Sequence, residues 1–182
     1  MSEPSTAISF SFAYNESEDR IISIVKTLEN KNIALLITRR LASRLINGLA
    51  AILETSSSVA NRAPANMRGD IILLEHQGAK QSAASSTESV EAAPQWTSNE
   101  PEVNPDEPVP LHLVTSVDTQ TLPTHFDLTA KGAQGSVIKS RLNRNEMHLF
   151  IDVLTRHANA ADWNISTEAE WLEPGQTNFS IN

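Results

Sequence analysis

The sequence predicts an α+β fold: two antiparallel β-β-β-α units packed as a pseudo-symmetric pair and joined by a long, partly disordered linker. Three observations carry that reading. Apolar and polar residues alternate in short runs near the N-terminus and again after Pro110. Each set of runs gives way to a stretch with helical spacing. An acidic, proline-laden segment separates the two sets.

The first unit is expected over residues 1–55. Ile8-Ser9-Phe10-Ser11-Phe12 has the period of two of a strand with one buried face. Asn15-Glu16-Ser17-Glu18-Asp19 is a polar turn, and Ile21-Ile22-Ser23-Ile24-Val25 is rich in the β-branched side chains that suit a pleated strand. Glu29-Asn30-Lys31-Asn32 turns the chain into a third strand, Ile33-Ala34-Leu35-Leu36-Ile37. Such short connections favour an antiparallel meander. From Arg39 to Glu54, Leu41, Leu45, Leu49, Ile52 and Leu53 fall on one helical stripe, with Thr38 as the N-cap.

Residues 56–110 read as an acidic Pro/Ser-rich linker. One short apolar island interrupts it at 70–77, Asp70-Ile71-Ile72-Leu73-Leu74-Glu75-His76-Gln77, as a helix or a strand. The second unit is expected over 111–164. Leu111, Leu113 and Val117 suggest its first strand, Phe126–Thr129 the second and Ser136–Ser140 the third. A helix then starts at Arg144, with Asn143 and Glu146 as a capping box and Met147, Phe150, Ile151, Leu154 and Ala158 as its buried stripe. Residues 165–182 form a C-terminal extension.

The two helical stretches overlay without a gap, Arg40–Leu53 on Arg141–Leu154. Leu41 meets Leu142, Ile46 meets Met147, Leu49 meets Phe150 and Leu53 meets Leu154, so the apolar phase is kept. The caps do not align, because Thr38 falls opposite Lys139. A three-stranded unit with one helix buries only one face of its sheet, and pairing completes the core.

The chain contains no cysteine, which excludes disulfides, thiolate metal ligands and cysteine nucleophiles. Its net charge of -8 repels nucleic acid at long range and leaves only a local basic patch as a route to phosphate. The first residues show neither a basic nor an apolar leader region. Ile33–Ile37 and Ile71–Leu74 fall far short of the ~20 apolar residues that span a bilayer. The expectation is a cytoplasmic chain with no membrane partner.

Glu18-Asp19-Arg20-Ile21-Ile22-Ser23-Ile24, followed by Leu36-Ile37-Thr38-Arg39-Arg40-Leu41, resembles a segment shared by uncharacterised bacterial proteins. In these an acidic-Arg-led strand precedes a Thr-Arg-Arg helix start. The island at 70–77 is similar to one in the same group. The resemblance implies no activity. Repeated strand-rich units each followed by a helix are also similar in outline to the single-strand-binding whirly folds, which carry one more strand per unit.

Enzyme chemistry finds little support. His148 and Asp152 stand one helical turn apart, which reads as a polar helix flank without a third group beside it. His112 and His125 fall on neighbouring expected strands as a surface pair. There is no Gly-x-Ser-x-Gly elbow, no phosphate loop and no Gly-x-Gly-x-x-Gly after a strand. The reading is therefore a non-enzymatic chain with no cofactor or metal.

Two binding readings remain. Arg39, Arg40 and Arg44 at the start of the first helix, and Lys139, Arg141 and Arg144 at the start of the second, are candidate anion or single-stranded nucleic-acid contacts. The favoured alternative is a protein–protein interaction or assembly module that pairs with itself, as a homodimer in the simplest case. Ile71, Ile72, Leu73 and Leu74 of the island, with Trp171 and Leu172, are its candidate docking residues.

Overall fold

The computed structural model describes residues 4–85, the backbone of 95–97, and residues 108–172. The chain is an α+β protein with one mixed sheet. β1 (Ser5–Asn15), β2 (Arg20–Thr27) and β3 (Asn32–Thr38) form the expected antiparallel meander. Asp19 and Asn30 close its two turns at φ 50 and 59. Asx residues tolerate that left-handed backbone better than other side chains. α1 (Arg39–Ser56) starts where Thr38 Oγ1 accepts the Leu41 amide at 3.3 Å.

The second half repeats the pattern with one difference. The expected first strand is two strands, β5 (Leu111–Leu113) and β6 (Ser116–Thr121). The break lies at Val114 and Thr115, whose amides bond to different neighbours. Val114 donates to Leu36 O at 3.0 Å and Thr115 to Lys131 O at 2.8 Å. β7 (Phe126–Gly132) and β8 (Gly135–Leu142) then pair as a hairpin, with Gly135 at φ 112, where a side chain would be strained. α4 (Arg144–Ala160) opens on the full Asn143–Glu146 capping box. Arg141 and Leu142 still belong to β8, so the helix overlay holds only beyond its first residues.

The strand order is β5-β3-β2-β1-β8-β7-β6, and β4 (Gln95–Thr97) also pairs with β1. β1 joins β8 through a two-residue parallel bridge, Ser5 to Ile138 and Thr6 to Lys139. β5 runs parallel to β3. The two ends of this order, β5 and β6, are separated in the chain by only Val114 and Thr115, so the sheet returns on itself. Its inner face carries Phe10, Phe12, Leu35, Leu128 and Ile138. With Leu41 and Leu45 of α1 and Phe150 of α4 they line one cavity of about 40 Å³, room for little more than a water or two.

Residues 56–85, read above as the first part of the linker, carry α2 (Ser58–Arg62), a 3-10 turn at Ala65–Met67 and α3 (Arg68–Ser85). The island at 70–77 lies inside α3. Ile72, His76 and Ala79 are its buried positions, spaced four and three apart as one helical face requires. The rest of the linker and the tail, residues 86–94, 98–107 and 173–182, lie outside the described residues. Among the described residues no helix is long and apolar enough to cross a membrane.

Phe150 holds the helices to the sheet. It is 8% exposed, and its ring meets Phe10 and Phe12 edge-on at 6.2 and 5.9 Å. Phe150→Ala is expected to lose about 3–5 kcal/mol of stability, read as a lower urea midpoint at unchanged m. A loss below about 1 kcal/mol, within the range of an ordinary surface change, contradicts that packing role.

Candidate functional site

Three places gather the residues of interest. The first is a polar junction where α1, α3 and α4 meet. Arg144, held at the first turn of α4 by the capping box, donates from Nε and Nη2 to Glu75 Oε2 at 2.9 and 2.7 Å. Its Nη1 reaches Ser56 Oγ at 2.9 Å and its Nη2 the Leu53 carbonyl at 2.7 Å. Ser57 Oγ donates to the other Glu75 oxygen at 2.8 Å. One guanidinium thus clasps the last turn of α1 and the middle of α3.

Two turns further along α4, Asp152 Oδ1 takes Lys80 at 2.9 Å, and its Oδ2 takes Arg156 at 2.9 Å. His76 Nε2 stands 3.5 Å from the same carboxylate. Burial opposes the Asp152 charge, yet these three partners hold its carboxyl well below the ordinary range. His148 lies between the two clusters, fully buried, with Nε2 3.7 Å from Glu75 Oε2. Both of its ring nitrogens are closed off from solvent. Among the described residues no group of three or more metal-type side chains is placed to share an ion.

The second place is basic. Arg39, Arg40 and Arg44 line a surface depression of about 530 Å³ with Ser43, Asn164 and Ser166. All three arginines are exposed, and among the described residues none forms a salt bridge. Asp19, a carboxylate within electrostatic reach of Arg39, is taken by others. Trp163 Nε1 donates to it at 2.5 Å and Tyr14 OH at 2.9 Å. Those two bonds hold the Asp19 carboxyl below its usual range, and Arg39 adds a weaker pull in the same direction.

The second expected basic cluster is not gathered in the same way. Arg141 forms a bidentate pair with Asp127 at 2.9 and 3.2 Å on the sheet surface. That bond holds the Asp127 carboxyl below its usual range and raises Arg141. Arg144 turns inward to Glu75, and Lys139 stands exposed.

The third place is the outer face of the sheet. In the first half the register puts Ile22, Ile24, Ala34 and Leu36 side by side on the face turned away from α1 and α4. β5 extends it with Leu111 beside Ala34 and Leu113 beside Leu36, 58% and 43% exposed. In the second half the same face is polar. Asp127 opposes Arg141, Thr129 opposes Lys139, and Asp118 pairs with Lys131.

Of the residues read as docking elements, Ile72 and Trp171 are core residues at 1% and 6% exposure. Ile71, Leu73 and Leu172 pack against them, while Leu74 is 53% exposed. Trp171 Nε1 donates to Glu54 Oε1 at 2.8 Å. His112 lies on β5 and His125 just before β7, strands that do not pair. Sequence reasoning missed Glu75, His76 and Lys80 as partners for Arg144, His148 and Asp152. The i, i+4 spacing of His76 and Lys80 was the only available signal.

No family model, curated protein or solved structure matches this chain. The class that the fold defines is an α+β protein with a mixed sheet and, among the described residues, four α-helices.

The clasp and the surface pair separate experimentally. Arg144→Ala strands Glu75 and is expected to cost about 3 kcal/mol, the low end for a broken buried pair because both side chains are about a quarter exposed. Arg141→Ala, on the exposed sheet face, is expected to leave the urea midpoint nearly unchanged. Equal effects of the two substitutions contradict the assignment.

Proposed function

We propose that this chain is a non-enzymatic interaction module of the cytoplasm that associates with a second copy of itself. The contrast between the two outer sheet faces carries the reading. The second half shows that this topology accommodates a charged, water-facing surface. The first half instead presents Leu111 and Leu113, 58% and 43% exposed, at its edge, with the half-buried Ile22 and Ile24 beyond the buried Ala34 and Leu36. Large apolar side chains left open to solvent together, as Leu111 and Leu113 are, mark a contact face. The patch carries no formal charge, so two copies bring no like charges together there, although each chain carries -8. Two such faces pack about 10 Å apart with interleaved side chains.

We also read the halves as a pseudo-symmetric pair. β1 lies parallel to β8, and β5, which leads straight into β6, lies parallel to β3. Each half's opening strand therefore meets the other's third. Sedimentation equilibrium is expected to give a concentration-dependent mass above 19.9 kDa. A double substitution, Leu111→Asp with Leu113→Asp, is expected to return it to the monomer with an unchanged circular dichroism spectrum. A constant monomer mass at high concentration rejects the proposal.

Arg39, Arg40 and Arg44, which form no salt bridge among the described residues, favour a second reading, single-stranded nucleic-acid binding in the manner of whirly-like folds. Their shared depression is the supporting observation. The expected result is retention of a single-stranded oligonucleotide at low salt, with a log–log salt slope of about 0.7 per phosphate neutralised. Replacing all three arginines by alanine is expected to abolish it. No retention at low salt excludes this reading and leaves the first untouched.

A further inference from the structure

Three aromatic rings meet where α3, α4 and the C-terminal 3-10 turn at Glu170–Leu172 converge. His76 and His148 have ring centroids 5.4 Å apart, and Trp171 lies 5.2 and 5.5 Å from them. His148 is 0% exposed and His76 6%. Nδ1 of both imidazoles and Nε2 of His148 are buried without a hydrogen-bond partner.

The charges around the rings are already committed. From α3 come Glu75, shared by Arg144 and Ser57, and Lys80 on Asp152. From α4 come Arg144, Asp152 and Arg156. From α1 comes Glu54, which takes the Trp171 indole N–H. A proton added to His148 thus creates a buried cation beside Arg144 and His76, and Glu75, whose carboxylate stands 3.7 Å away, is already shared by Arg144 and Ser57. α3 is the element with least to resist this, since Ile72, His76 and Ala79 are its buried face and one of them is part of the cluster.

We propose that this ring cluster is a proton-operated latch: with the His148 imidazole neutral it holds α3 and the C-terminal turn on α4, and proton uptake by His148 releases them. Burial first, then the neighbouring His76 and Arg144, lower the His148 pKa to about 4 in the docked state, against a smaller opposite pull from Glu75. In solvent an imidazole titrates near pH ~6.5. The undocked state therefore binds the proton first as pH falls. Docking is at full strength above that solvent value and weakens about tenfold per pH unit below it, down to the docked value. Asp152 stays ionised through this window, because His76, Lys80 and Arg156 hold its carboxyl low against burial. His157, also lowered by burial, sits against Phe12 on the sheet side of α4 and reports on the sheet.

The test is hydrogen exchange on the full chain between pH ~7.5 and ~4.5, corrected for intrinsic rates. The expected result is a loss of protection across 68–85 of about tenfold per pH unit, while β1, β2 and β3 keep theirs. His148→Phe is expected to hold α3 protected throughout. The proposal is overturned if α3 and the sheet lose protection together, or if His148→Phe keeps the wild-type profile. Should that variant not fold, NMR titration of the wild-type His148 ring decides: a pKa well below the solvent value supports the latch, and an ordinary one overturns it.

Discussion

Burial of one sheet face beneath α1 and α4 is the constraint from which the other features follow. Three strands and one helix cannot enclose a core, because the helix covers one stripe of a face that extends past it on both sides. Here Phe10 and Phe12 from the first half and Leu128 and Ile138 from the second contribute to one interior. The two-residue bridge from β1 to β8 and the stitch at Val114–Thr115 bring the halves together. The stitch explains why β5 leaves β6 and lies on β3, since one amide bonds to each half.

Once α1 and α4 lie side by side in that interior, their remaining flanks need cover, and α3 supplies it with few apolar residues. The consequence is a junction made largely of charge. Arg144 is the central member, because a planar guanidinium satisfies a carboxylate, a hydroxyl and a helix-end carbonyl at once. Buried charge pairs of this kind add modestly to stability but penalise every arrangement that leaves a partner stranded. The same low-dielectric setting suppresses protonation of His148.

Much of this was legible in the residues. Thr38 and the Asn143–Glu146 box mark two helix starts, because capping chemistry is local. The alternation in β1 and β2 and the stripes of α1 and α4 are equally local. α3 was not legible to the same degree. Ile71-Ile72-Leu73-Leu74 is a run and not a stripe, and its buried face includes a histidine and an alanine that read as neither apolar anchor nor surface. The arginines show the same divide. Six basic residues at two helix starts look equivalent in sequence, yet one set keeps its charge exposed and the other loses two of its three members to Asp127 and Glu75.

The sequence alone determined the meander β1–β3, the hairpin β7–β8, and α1 and α4 with their caps, since hydrophobic period and capping act over a few residues. Tertiary structure decided which charges are neutralised, which apolar residues stay on the surface and where α3 docks. Those outcomes depend on contacts between residues as distant as Glu75 and Arg144, whose meeting no local pattern encodes.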